Sequence, residues 1–141
     1  MSLTVAQARD EMLTLITAAW TANAGGLPLF YDDRPGEPPT NGTGWARVNI
    51  QHNLGAQSTI SNPIGNNLFR RDGLLTVQIF APIGKGLSQA DALAKVALDA
   101  FEGKSTPNGV WFRKVRMREI GPDKSWFNVN VYAEFNYDEA K

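Results

Sequence analysis

Residues 110–137 read Val110-Trp111-Phe112-Arg113-Lys114-Val115-Arg116-Met117-Arg118-Glu119-Ile120-Gly121-Pro122-Asp123-Lys124-Ser125-Trp126-Phe127-Asn128-Val129-Asn130-Val131-Tyr132-Ala133-Glu134-Phe135-Asn136-Tyr137. In the second half Phe127, Val129, Val131, Ala133, Phe135 and Tyr137 fall on alternate positions, the period that puts side chains on one face of a β-strand. Residues 125–137 are therefore predicted as a strand with one apolar face, and residues 110–120 as another. Gly121-Pro122-Asp123-Lys124 between them has turn chemistry, so the two strands are predicted to pair as an antiparallel hairpin.

The same alternation recurs upstream. Leu75, Val77 and Ile79 stand opposite Thr76 and Gln78 in a strand predicted over 73–81, which Pro82 and Gly84 end. Ala46, Val48 and Ile50 stand opposite Arg47, Asn49 and Gln51 in a strand predicted over 45–52. Residues 27–31 are a short strand candidate. The spacing of Leu93, Val96, Ala97, Ala100 and Phe101, with Ser88 as N-cap and Gly103 as stop, predicts a helix. An earlier helix is predicted over 5–21 from Val5, Met12, Leu13, Ile16, Ala19 and Trp20, with Thr4 and Gln7 as a capping box. Between these elements, residues 32–44 form a long loop rich in Pro and Gly. The polar stretch 53–67 is expected to be a projecting hairpin or loop. The order helix, strands, helix, two strands predicts an α+β fold, a mostly antiparallel sheet with two helices packed on one face, in a single domain spanning 1–141.

Composition narrows the chemistry. The 141 residues fit one domain, and 43% hydrophobic with 20% charged residues is the balance of a folded chain. Fourteen Lys+Arg offset fourteen Asp+Glu, so no chain-wide field draws it to nucleic acid or to a membrane surface. The absence of Cys removes disulfides, thiol nucleophiles and thiolate metal sites. The N-terminus lacks the pattern of a signal peptide, and no apolar stretch approaches the ~20 residues of a membrane span, so synthesis in the cytoplasm is expected. Asn41-Gly42-Thr43 matches a glycosylation sequon, which without a secretory signal carries no expectation of use.

Candidate sites are few. His52, the single histidine, has no recognisable partner for base catalysis. Asp32 and Asp33 are adjacent carboxylates without the further oxygen ligands of a calcium loop. Pro82-Ile83-Gly84-Lys85-Gly86-Leu87-Ser88 lies between strand and helix but lacks the spacing of a phosphate-binding loop, and reads as a turn and cap. No enzyme activity, metal or cofactor is expected. Arg113, Lys114, Arg116 and Arg118 are four bases without an acid among them, flanked by Trp111 and Phe112. Alternation predicts Lys114, Arg116 and Arg118 on one side and Arg113 on the other. Trp45, Trp111, Trp126 and Tyr132 fall on or near otherwise polar faces, where amphipathic aromatics favour protein contacts. Arg113, Lys114, Arg116, Arg118, Asp32, Asp33, Glu37, Trp111 and Trp126 are accordingly the candidate subunit interface. The alternative is a nucleic-acid-binding sheet domain using the basic strand 113–118.

Three stretches taken together resemble a known family: Gly44-Trp45-Ala46-Arg47-Val48-Asn49-Ile50, then Arg70-Arg71-Asp72-Gly73-Leu74-Leu75-Thr76-Val77-Gln78-Ile79-Phe80-Ala81-Pro82-Ile83-Gly84-Lys85-Gly86, and Trp126-Phe127-Asn128-Val129-Asn130-Val131. They are similar to the tail-terminator-like (tail completion) proteins of long-tailed bacteriophages and prophages. The resemblance implies a small α+β subunit that forms a homo-oligomeric ring, commonly a hexamer, on the end of the tail tube. It implies the tail-tube protein and the head-completion (neck) protein as partners, and a place in the virion tail after synthesis in the host cytoplasm.

Overall fold

The computed structural model describes residues 3–32, 43–57, 67–84, 87–123 and 125–141. Most of the long loop, including Asp33, Glu37 and Asn41, lies outside them, as do residues 58–66 of the polar stretch and Lys85 with Gly86.

Helix α1 (Val5–Asn23) starts at the anticipated capping box: the Gln7 amide donates to the Thr4 hydroxyl at 3.2 Å, and the Thr4 amide donates to the Gln7 side-chain oxygen at 3.0 Å. Two of the helix's four orphan donors are satisfied in this way. Its buried row is Ala8, Met12, Ile16 and Trp20, four residues apart. Val5, expected on that face, is exposed, and Ala8 takes its place. The helix runs two residues beyond the predicted end before Gly25 and Gly26 adopt positive φ.

Strand β1 (Leu29–Tyr31) is followed by β2 (Trp45–Gln57) and β3 (Leu68–Pro82), each longer than the sequence suggested. Residues 53–57 continue β2, and 68–72 precede the predicted start of β3. They are arms of one hairpin, paired out to Gln57 opposite Phe69. The sequence conceals these strands because Gly55 and the polar residues around it read as loop, while Leu68-Phe69-Arg70-Arg71-Asp72 sets like residues side by side without a period-2 contrast. Helix α2 (Ser88–Phe101) begins with Ser88 already helical. Leu87 is its N-cap and no side chain caps it, which corrects the Ser88 assignment by one residue. Gly103, at φ 68, ends the helix in the left-handed conformation that glycine tolerates without steric cost.

Strand β4 (Trp111–Asp123) and β5 (Trp126–Ala140) form the anticipated hairpin, but the turn is tighter than four residues. Gly121, Pro122 and Asp123 still pair with Asn128, Phe127 and Trp126. A bulge between Glu119 and Gly121, where Gly121 takes φ 112, lets the strand continue through the turn-like sequence. The sheet order is β1-β2-β3-β5-β4, parallel between β1 and β2 and antiparallel elsewhere.

Both helices cover one face of this sheet. Leu75, Val77, Ile79, Val129, Val131, Ala133 and Phe135, at 0–1% exposure, share one core with Met12, Ile16, Trp20, Leu93, Ala97 and Phe101. A fully buried side chain of this kind contributes about 1.5–3 kcal/mol by removal from water. Gly73 is required where it stands. A Cβ there would lie 2.3 Å from the Gln51 carbonyl oxygen and 2.3 Å from the Phe135 ring, which crosses the glycine from the neighbouring strand.

Candidate functional site

The face away from the helices carries Trp111, Arg113, Arg116, Arg118 and Trp126, and register decides which of them meet. Residues paired across antiparallel strands point the same way. Trp111 lies opposite Asn136, Arg113 opposite Glu134, Arg116 opposite Tyr132 and Arg118 opposite Asn130. These four side chains are thus on the outer face together. The sequence expectation that Arg113 would point away from Arg116 and Arg118 is corrected by a bulge between Arg113 and Arg116. Lys114 there adopts φ 51, and one extra residue resets the alternation.

Trp111 is 40% exposed and has two guanidinium groups over its ring, with Arg113 Cζ at 5.9 Å and Arg70 Cζ at 5.8 Å from its centre. Arg116 sits 5.3 Å over the Tyr132 ring and pairs with Glu134 at 3.2 Å. Arg70 pairs with Asp138 at 2.9 Å. Glu134 and Asp138, absent from the candidate set, therefore neutralise part of the basic cluster within the chain. Their alternation with Tyr132 and Asn136 along β5 was the available signal, but only the register assigns each its partner.

The remaining candidates lie elsewhere. Trp126 is ten residues from Asn136 along β5, roughly 33 Å at strand spacing from the Trp111 end. It meets Trp45 edge-on at 6.1 Å, and Trp45 stacks on Phe80 at 4.2 Å. Trp45 is buried, so its role is packing on the outer face. Asp32 follows β1 at the opposite edge of the sheet from β4 and accepts from the Asn49 side chain at 2.9 Å and the Ile50 amide at 3.3 Å. Between the edges the outer face is wired by hydrogen bonds: Arg47 donates twice to Gln78 Oε1, and Asn128, Asn130 and Tyr132 form a chain of side-chain bonds.

Polar clusters also tie the helices to the sheet and to its loops. Arg9 donates to the Ile50 carbonyl at 3.0 Å and lies 3.5 Å from His52 Nδ1. With Nδ1 facing that donor, Nε2 holds the proton and donates to the Tyr137 hydroxyl at 2.7 Å. Burial, then the charges of Arg9 and Arg71, push the His52 pKa down. Burial, aided by Glu139, pushes Tyr137 up. Burial alone would raise Glu11, but hydrogen bonds from Thr106 and Asn108 outweigh it and hold the carboxyl below its usual value. Both His52 nitrogens are thereby engaged in structure, and among the described residues no group of three potential metal ligands converges. No described helix is long and apolar enough to cross a membrane.

The profile of the phage tail terminator protein family matches residues 7–134. No curated protein matches the sequence. One solved structure is similar in fold with a TM-score of 0.58 at 18% identity, over 88% of this chain and 94% of that one. Another, a chain in the virion of a native gene transfer agent (GTA) particle, has a TM-score of 0.56 at 19% identity, over 99% of this chain and all of that one. The chain belongs to the phage tail terminator family, a structural family of tail assembly.

Proposed function

We propose that the chain is a ring-forming subunit, six to a ring, that caps the phage tail tube, stops its polymerisation and joins it to the head-completion protein. It is made in the host cytoplasm and ends in the virion tail. The observation that carries this beyond family membership is the β4 edge. It is an outer strand of the sheet, it displays Trp111, Arg113, Arg116 and Arg118 on one face, and beyond β5 it pairs among the described residues only through an isolated bridge from Ser105 to Trp111. Bases and an exposed tryptophan at the rim of a chain with zero formal net charge suit contact with an acidic protein surface. A head-to-tail contact of this kind, repeated by rotation, closes into a ring. Pairing of Arg116 with Glu134 and of Arg70 with Asp138 reduces the cationic character that phosphate binding needs.

The test substitutes Arg113→Glu and Arg118→Glu, leaving the Arg116 pair in place. The variant is expected to keep its fold, with unfolding free energy within about 0.5 kcal/mol of the parent. It is expected to lose ring formation on the tail-tube protein, as seen by sizing and electron microscopy. Intact rings with lost DNA retention would replace this function with nucleic-acid binding.

A further inference from the structure

We infer that the groove between α1 and the β1–β2 edge is the socket that receives the β4 edge of a second copy of this chain, an inference that rests on the ring assembly proposed above. The socket lies at the opposite end of the sheet from β4 and is lined by Asp10, Leu13, Thr14, Thr17, Tyr31 and Asp32. Strand β1 covers β2 only from Ala46 to Val48, so among the described residues the edge of β2 beyond has no neighbouring strand. At Ile50 side chains already occupy that edge, since Asp32 accepts from its amide and Arg9 donates to its carbonyl. On the other rim, β4 is broken by bulges between Arg113 and Arg116 and between Glu119 and Gly121. Neither edge offers an uninterrupted ladder for strand addition, so the joint is made by side chains.

The two edges match layer by layer. On β4, Met117 lies opposite Val131 and points toward the helix layer, while Arg116 and Arg118 point to the outer face. Met117 is 39% exposed and the neighbouring Ile120 is 49% exposed, apolar surface left open beside a row of bases. In the socket the apolar wall is Leu13 on α1, in the helix layer, and the acid Asp32 lies on the outer side, bonded to the outward side chain of Asn49. Asp10 adds a second acid at the mouth. The two arginines nearby are engaged internally, Arg9 on Ile50 and Arg47 on Gln78. Two copies placed side by side with their sheets continuing in one plane would bring base to acid on the outside and Met117 to Leu13 on the inside. The contact is heterologous, so each copy uses one edge as plug and the other as socket.

The absence of cysteine in the chain makes a direct test available. Met117→Cys and Thr14→Cys, both at exposed positions, are prepared separately, with Thr17→Cys as a second socket variant. They are assembled on the tail-tube protein and treated with a short bis-maleimide. A mixture of plug and socket variants should give a cross-linked dimer, and either variant alone should give none. The double variant should give a ladder ending at the full ring. Rings that form by sizing while the mixture stays uncross-linked with both socket variants, or while Met117→Cys cross-links to itself, would overturn the joint and leave the ring standing. Failure of every variant and of the parent to form any oligomer on the tube would overturn the ring as well.

Discussion

The two faces of the one sheet are held by different physics. On the helix side Leu75, Val77, Ile79, Val129 and Val131 are dry and close-packed, and the energy there is transfer from water together with the cost of any void. On the outer side Arg47 with Gln78 and the largely buried Asn128–Asn130–Tyr132 chain hold the middle of the sheet, while Arg70 with Asp138 and Arg116 with Glu134 order the half-exposed end through bonds that water can replace. The first face can be damaged only at the expense of the fold. The second can change its charge while the fold persists, which is the freedom an assembly surface needs.

The largest effects should therefore come from the dry face. Leu75→Ala removes a fully buried side chain from the middle of the central strand, and a loss of about 2–5 kcal/mol is expected from transfer plus cavity. Gly73→Ala should cost roughly 1–3 kcal/mol or more through overpacking, because the new methyl meets backbone at Gln51 as well as the Phe135 ring. Urea unfolding should show both as a lowered midpoint with an unchanged slope. A loss below about 0.5 kcal/mol at either position would mean that this face is not the tightly packed one.

What the sequence disclosed follows the same division. Wherever one face is dry, as in 73–81 and 125–137, apolar alternation is imposed by burial and the strands could be read. The helices were legible for the same reason, down to the Thr4–Gln7 cap. The hairpin arms 53–57 and 68–72 were not, because Gly55 among polar residues reads as loop and Leu68-Phe69-Arg70-Arg71-Asp72 carries no alternation. At the candidate site the basic cluster was visible, but its grouping was not. The Lys114 bulge depends on pairing with β5 and moves Arg113 to the side of Arg116, and the neutralising acids Glu134 and Asp138 are assigned only by register. Trp111 and Trp126 looked equivalent by residue type and neighbourhood, yet they stand at opposite ends of the hairpin.

An intermediate effect is expected where the helix layer is tied down by a charge. Glu11 accepts from the Asn108 amide at 3.2 Å and from the Asn108 side chain, fastening α1 to the loop before β4. Glu11→Gln should cost about 1–3 kcal/mol, the range for a hydrogen-bonded charge lost from a half-buried site. Its pKa is lowered in the folded state, so its contribution is present above the unfolded carboxyl value and disappears as pH falls through the folded one. His52 is also lowered, so the neutral ring is favoured by folding and its contribution is lost as pH falls below about 6.5 toward its folded value. Unfolding free energy should thus decline in two acid steps, His52 first. In Glu11→Gln the lower step should shrink and the upper one remain. A variant that keeps both steps unchanged would remove Glu11 from this role.

The smallest effect gives the sharpest contrast, because β3 places one arginine on each face at successive positions. Arg70 points outward and pairs with Asp138 at 2.9 Å, with the two side chains 40% and 30% exposed. Arg71 points to the helix side, opposite Tyr137, and pairs with Glu139 at 3.1 Å, with 22% and 15% exposed. Its guanidinium makes two bonds to one carboxylate oxygen, and its charge acts on His52. The chemistry and sequence spacing of the two pairs are the same, so a difference in coupling between them measures the faces. Double-mutant cycles with alanine should give about 0.2–1 kcal/mol for Arg70 with Asp138, falling further in added salt. Arg71 with Glu139 should give about 1.5–3 kcal/mol, the range of a charge-assisted bond, and respond less to salt because water is partly excluded. Equal couplings, or the larger value at Arg70, would show that the outer face is as tightly held as the inner one and would remove the energetic basis for treating it as the surface free to bind a neighbour.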